Sequence, residues 1–263
     1  MSKIAVITGG TSGIGRETAL YLAKNGCTVY ELSRRTEGVE GLRHIRADVT
    51  DEESVRRAVE QILQEAGHID ILVNNAGFGI SGAVEFTDTE EAQRQFQVNF
   101  FGMVRMNRAV IASMRSRGSG RIVNLSSVAA PVPIPFQTYY SVSKAAINSF
   151  TMSVGNEVRP YGIRISAVMP GDTRTGFTDA RARSFAGDDA YGGRISRSVA
   201  KMEKDERGGV SASVVGAALG RAALSKSRKV FCTVGFVYRL VIFLMRLLPS
   251  TAANAILGKM YAE

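Results

Sequence analysis

Cysteine and histidine are scarce in this chain. Its 263 residues include two cysteines, Cys27 and Cys232, and two histidines, His44 and His68. Two lone cysteines build no disulfide framework and no Cys/His spacing that would hold a metal. That excludes a stapled secreted module and a zinc site, and it suits a reducing interior compartment such as the cytoplasm. The histidines have no ligand-like neighbours and read as structural. No apolar run approaches the roughly 20 residues a membrane-spanning helix needs. The start, Met1-Ser2-Lys3, leads straight into an apolar strand, with no signal-type segment and cleavage site. There is no internal repeat, no low-complexity linker and no concentrated basic run, although the net charge is +9. Between Arg181 and Arg207 the basic residues alternate with Asp188, Asp189, Glu203, Asp205 and Glu206. That pattern reads as a solvated face and not as a nucleic-acid surface, while the overall charge suits an anionic cofactor or membrane surface.

What is present is an ordinary globular balance, 45% apolar and 22% charged residues, in a length that fits one large domain. Ile4-Ala5-Val6-Ile7 is a short buried-strand pattern. Thr8-Gly9-Gly10-Thr11-Ser12-Gly13-Ile14-Gly15 follows, and then a helical pattern to Asn25-Gly26. A strand, a glycine turn and a helix start form a phosphate site. The backbone can approach a pyrophosphate closely, and the free N–H groups and dipole of the helix face it. Thr28 to Leu32 is the next strand and ends in Ser33-Arg34-Arg35. An acidic residue there would hold a ribose 2′-hydroxyl, whereas arginine suits a 2′-phosphate, so NADP(H) is favoured over NAD(H). Glu31, on the same strand face as Ser33, leaves NAD open.

Further strands are expected at His44–Ala47, Ile69–Val73, Gly120–Ser127, Ile163–Met169 and Lys229–Val234. The fourth ends in Asn74-Asn75-Ala76-Gly77. One long helix is expected from about Thr89 to Met114, with Asn99 inside it among Phe96, Phe100 and Phe101, facing inward with partners. Beyond Thr175 the chain is polar until about Gly209. Strands alternate with helices and are apolar on both faces, which argues an α/β fold, a Rossmann-type doubly wound parallel sheet of about seven strands. Right-handed crossovers then bring Gly13, Arg34, Asp48, Asn75, Ser127 and Pro170 to one crevice beside Tyr140.

Tyr140 and Lys144 are four apart on a helix and share a face. An ammonium beside a phenol favours the phenolate and lowers its pKa, which makes the pair a candidate general acid/base. Tyr139 has no lysine at that spacing.

With these motifs in that order, the chain resembles the short-chain dehydrogenase/reductase family in its form of about 250 residues. The matching pieces are Thr8-Gly9-x-x-x-Gly13-Ile14-Gly15, Asp48, Asn74-Asn75-Ala76-Gly77, Asn99, Ser127, Tyr140-x-x-x-Lys144 and Pro170-Gly171. The family's spacing between serine and tyrosine selects Ser127 over Ser126. The resemblance implies a catalytic set of Asn99, Ser127, Tyr140 and Lys144. Tyr140 would exchange the proton, Lys144 would lower its pKa and hold the nicotinamide ribose, Ser127 would hydrogen-bond the substrate oxygen, and Asn99 would hold a water linking Lys144 to solvent. It also implies cofactor contacts at Gly9, Thr11, Ser12, Gly13, Ile14, Gly15, Ser33, Arg34, Arg35, Asp48, Val49, Asn75, Ala76, Gly77, Tyr140, Lys144, Pro170, Gly171, Thr173 and Thr175. Thr173 departs from the family's usual apolar residue; Thr175 matches a position that often contacts the nicotinamide amide. Family members are commonly homo-oligomers.

Residues 1–235 carry the resemblance, and 236–263 form an apolar helical extension of the same domain. Phe236 to Leu248 is apolar apart from Tyr238, Arg239 and Arg246. Three readings stand: a helix packed on the core or on a second copy, a wall over an apolar substrate pocket, or an interfacial helix making peripheral contact with anionic lipid. The expected activity is NADP(H)-dependent interconversion of an alcohol and a carbonyl on an apolar molecule such as a steroid, retinoid or other lipid. A 3-ketoacyl-carrier-protein reductase and a catalytically silent NADP(H)-binding protein are the rivals.

Overall fold

The computed structural model describes residues 2–262. The chain runs through β1 (Ile4–Thr8), α1 (Gly13–Lys24), β2 (Thr28–Ser33) and β3 (Arg43–Arg46), the last two joined without a helix. Next come α2 (Glu52–Ala66), β4 (Ile71–Asn74) and the two-residue β5 (Ile80–Ser81). A long helical stretch is built from α3 (Thr89–Phe96), a π-helical turn over Gln97–Gly102, and α4 (Met103–Ser116). β6 (Gly120–Leu125), α5 (Thr138–Val158) and β7 (Ile163–Met169) follow. Then come β8 (Thr173–Arg174), α6 (Phe177–Ala180), β9 (Ala182–Arg183), α7 (Arg194–Gly208), β10 (Val210–Ser211) and α8 (Ala212–Leu224). The chain closes with β11 (Phe231–Thr233), α9 (Phe236–Leu247) and α10 (Ser250–Tyr261).

Seven strands form one sheet in the order β11-β7-β6-β4-β1-β2-β3, and every neighbouring pair is parallel. The order reverses between β1 and β4. In an open α/β sheet that switch point, at the carboxyl ends of the strands, is where a ligand crevice opens. β1 shows why the central strands are largely apolar, unlike the edge strand β3, whose Arg43 and Arg46 are exposed. Ile4 and Val6 face one layer, with Val59, Met106 and Val110, while Ala5 and Ile7 face the other, with Leu22, Val215 and Leu219. Side chains alternate along a strand, so a sheet covered on both faces needs apolar residues at every position.

The π-helical turn breaks the single helix expected over 89–114 and carries Asn99 inward, where it is buried. The polar segment after Thr175 folds more than its composition suggested: it holds α6 and α7 and supplies β9, which pairs with β5 in a small satellite sheet. Ile195, Val199 and Met202 on one stripe of α7 pack under Ala83, which is enough to dock a helix that is otherwise polar. α8 packs against α1.

Candidate active site

Three strand ends meet at the switch point. The turn after β1 opens α1, whose first residues Gly13-Ile14-Gly15 follow Ser12. No side chain caps this helix and its first turn holds no acidic residue, so its leading N–H groups stay available to an anion. Gly9 and Gly13 have φ of 65° and 53°, a left-handed conformation glycine adopts without strain. Asn75 locks the next strand end to this turn. Its Nδ2 donates to the carbonyls of Thr8 and Gly9 at 3.0 and 3.2 Å, and the N–H groups of Asn75 and Ala76 donate to Thr8 Oγ1 at 3.0 and 3.1 Å. The turn therefore has the donors, the close backbone and the open wall that a dinucleotide pyrophosphate requires.

A cavity of about 400 Å³ runs from this turn to Tyr140. Of the residues singled out in the sequence, it is lined by Gly9, Ser12, Gly13, Ile14, Arg35, Asn75, Ala76, Gly77, Ser127, Tyr140, Lys144, Pro170, Gly171, Thr173 and Thr175. Thr11, Gly15, Ser33, Arg34, Asp48, Val49 and Asn99 are not among its lining residues. Asp48 spends Oδ1 on the N–H and hydroxyl of Thr50, both at 2.8 Å. Asn99 works behind the wall. Its Oδ1 accepts the Phe78 N–H at 3.0 Å, and its Nδ2 donates to the Phe78 carbonyl at 3.0 Å and to Ser143 Oγ at 3.3 Å. It ties the turn after Gly77 to α5. With Val49, it also borders a small cavity of about 10 Å³.

Tyr140 and Lys144 stand on α5 as their spacing requires. Lys144 Nζ lies 5.6 Å from the Tyr140 ring centre and donates to the Leu125 carbonyl at 2.8 Å. Both side chains are enclosed, and burial controls their titration. Burial pushes the Tyr140 phenol up to about 12, opposed by the Ser127 hydrogen bond; the nearby Glu206 and Asp172 carboxylates raise it and Arg181 lowers it. Burial pushes Lys144 down to about 8. The expected lowering of the phenol by its lysine is thus reversed in direction: losing water costs each charged form more than the neighbour returns. Ser127 Oγ also accepts the Ala129 N–H at 3.1 Å, while Ser126 donates to the Lys144 carbonyl at 3.2 Å. Tyr139 lines a separate apolar groove with Phe96, Phe101 and Val142.

Several lining residues carried no signal in the sequence. Phe177 on α6 sets its ring 5.7 Å from that of Tyr140, and Arg181 lies over Phe177 at 5.6 Å. Arg181 is buried and ion-paired to Glu206, and Glu206 lines the cavity. These two residues therefore leave the solvated face the charge alternation suggested. The pair forms across 25 residues of chain, a distance at which sequence patterning carries no information.

A sequence model described as short chain dehydrogenase matches residues 3–184. The chain belongs to this short-chain dehydrogenase family. As a short-chain dehydrogenase it is an oxidoreductase of carbonyl and alcohol groups. A 3-ketodihydrosphingosine reductase of Bacteroides thetaiotaomicron is 41% identical over 228 residues, 86% of this chain and 85% of that protein. A solved short-chain dehydrogenase from Streptomyces avermitilis superposes with a TM-score of 0.85 at 30% identity, covering 98% of this chain and 96% of that one. A 3-ketoacyl-(acyl-carrier-protein) reductase from Brucella melitensis complexed with NADH gives a TM-score of 0.74 at 26% identity, covering 88% of this chain and 96% of that one.

Proposed function

We propose that the protein is an NADP(H)-dependent reductase of a long-chain lipid ketone. The observation that carries the cofactor choice is the end of β2. Arg34 and Arg35 are exposed there, and neither has an ion-pair partner among the described residues. Two free guanidiniums suit a 2′-phosphate. Glu31, the residue that would argue for NAD, has a side chain with no solvent-accessible surface; its Oε1 accepts from His44 Nδ1 at 2.7 Å and from the Val39 N–H at 3.2 Å. A carboxylate with no accessible surface and one oxygen already engaged is poorly presented to a ribose at the strand end, which supports NADP(H). Replacing both arginines with alanine is expected to raise the NADPH dissociation constant about 10- to 100-fold, as loss of charged hydrogen bonds worth roughly 1.5–3 kcal/mol would do. Fluorescence titration measures this; an unchanged NADPH constant, or a wild-type preference for NADH, would overturn the assignment.

The nicotinamide supplies the hydride. Tyr140 donates the proton to the carbonyl oxygen, and Ser127 hydrogen-bonds the same oxygen as charge grows on it. Lys144 sits beside the phenol and holds the ribose, and Asn99 fixes the wall behind them.

The lipid part of the reading is supported by α9 and by the name of the Bacteroides relative. Among α9 residues only Ile242 is buried; Phe236 is 71% exposed, Val237 66%, Phe243 58% and Leu247 66%. The helix is fastened to the active site. The Tyr238 ring would lie 2.1 Å from a Cβ on Gly171, so only glycine fits there. Arg239 and Arg246 complement anionic headgroups. No helix among the described residues is long and apolar enough to cross a membrane, so contact would be peripheral. The protein is expected to sediment with phosphatidylserine vesicles, and Phe243→Asp with Leu247→Asp to release it at least about tenfold; equal sedimentation of both proteins would leave α9 as a packing element only. A turnover panel of steroid, retinoid, acyl-thioester and long-chain ketones with NADPH and NADH tests the whole reading. Fastest reduction of an acyl thioester would favour the ketoacyl-carrier-protein alternative, and NADPH binding without any turnover would favour a silent binding protein.

A further inference from the structure

The end of the cavity around Tyr140 carries carboxylates in a chain whose net charge is +9. Asp172 follows Pro170-Gly171 and lines that cavity. It is held in place: Oδ2 accepts the Tyr238 hydroxyl at 2.6 Å, and its own N–H donates to the Tyr238 oxygen at 3.0 Å. Among the described residues, no lysine, arginine or histidine forms an ion pair with Asp172. Glu206 on α7 lines the same cavity, its Oε2 accepting the Thr178 hydroxyl at 2.7 Å and its Oε1 accepting from Arg181. Arg181 is 3% exposed, and its Nε and Nη1 have no acceptor among the described residues.

Of the cations at this end, Arg181 is paired with Glu206 and the Lys144 ammonium donates to the Leu125 carbonyl, so the carboxylate without an ion-pair partner among the described residues is the one beside Pro170-Gly171. Tyr238, which fixes it, sits on α9, so the apolar extension and the polar subsite are built together. A carboxylate also works against this active site on its own. Asp172 and Glu206 both hold the Tyr140 phenol up, and that opposes the phenolate formed when the proton is given away. A cation seated between them and the phenol reverses that sign.

We propose that Asp172, with Glu206 beside it, forms a subsite for a positively charged amino group carried next to the ketone that is reduced, so that the enzyme selects α-amino ketones. This rests on the carbonyl-reducing reading of the cavity. The test compares a long-chain α-amino ketone, the same ketone lacking the amine, and the N-acetylated amino ketone, all with NADPH. Wild-type kcat/KM is expected to favour the free amine over each neutral analogue by at least about tenfold, the equivalent of roughly 1.4 kcal/mol. Asp172→Asn is expected to bring the ratio near one, chiefly through a higher KM for the amine. Because N-acetylation removes the charge without touching the protein, the wild-type comparison stands even if the variant folds poorly. Equal kcat/KM for charged and neutral ketones, or an unchanged ratio in Asp172→Asn, would overturn the subsite alone. No turnover of any ketone would sink the carbonyl-reducing reading, and the subsite with it.

Discussion

Tyr140→Phe is expected to lower kcat by about 10²- to 10⁴-fold, the usual range for a positioned proton donor, while leaving NADPH binding intact. The substitution removes one oxygen and keeps the ring. Phenylalanine can still pack on Phe177 and beside Lys144 Nζ, so the wall keeps its shape. What disappears is the proton and the hydrogen bond with Ser127. Steady-state turnover against a fluorescence titration of NADPH separates the two effects. A variant that keeps a tenth of the wild-type rate would remove Tyr140 from its role, and loss of NADPH binding would show that the cavity had collapsed instead. The pH dependence carries the sign of the shift. A phenol raised to about 12 by burial stays protonated across the neutral range, ready to give its proton away and slow to take one up, so reduction is expected to hold up at neutral pH better than alcohol oxidation does.

The parts of this site that the sequence discloses are those written by local backbone geometry. Gly9 and Gly13 are where the chain must turn with positive φ, and Tyr140 and Lys144 are one helical turn apart, so both features are visible without a structure. The central strands are visible for a related reason: a sheet buried on both faces has no polar side to break the apolar run, whereas the edge strand β3 keeps Arg43 and Arg46 exposed. What stays hidden depends on where the chain returns in space. Arg181 and Glu206 have the same composition as a solvated face, and only the docking of α6 against α7 turns them into a buried pair. Glu31 stands in the sequence as a possible ribose ligand, and only the fold shows His44, 13 residues later, hydrogen-bonded to its Oε1. The π-helical turn at Asn99 is hidden because it adds a residue to one turn without disturbing the apolar pattern on either side. α8 is quiet for yet another reason. Gly216 and Gly220 lower its helix propensity, yet a Cβ at either would lie within 3 Å of α1, so the residues that weaken the signal are those that allow the contact.

Lys144 makes the site costly to fold, and that cost is measurable. Its side chain is buried, and among the described residues its ammonium meets the Leu125 carbonyl at 2.8 Å but no carboxylate. Burial moves its pKa from 10.5 to about 8, and at about 1.4 kcal/mol per unit the charged form costs the folded state about 3 kcal/mol. Lys144→Met keeps the length and removes the charge, at the expense of an unsatisfied Leu125 carbonyl worth roughly 1–2 kcal/mol. The net gain of about 1–2 kcal/mol corresponds to a melting temperature about 2–6 °C higher at pH 7, in a protein that has lost nearly all turnover. The window follows from the direction of the shift. Below about pH 8 the lysine is protonated in both folded and unfolded chains, and the wild type bears the full penalty. Between about 8 and 10.5 the unfolded chain binds a proton the folded one has released, so wild-type stability gains with rising pH and the methionine variant has nothing to gain. Other groups that titrate there are common to both proteins and cancel in the difference. The gap in melting temperature is therefore expected to be widest below pH 8 and to close toward pH 10.5. A gap of equal size at pH 7 and pH 10, or a methionine variant less stable than wild type at pH 7, would mean that the ammonium is not held against its solvation, and the general acid/base pair would need another source for its lysine's depressed affinity for protons.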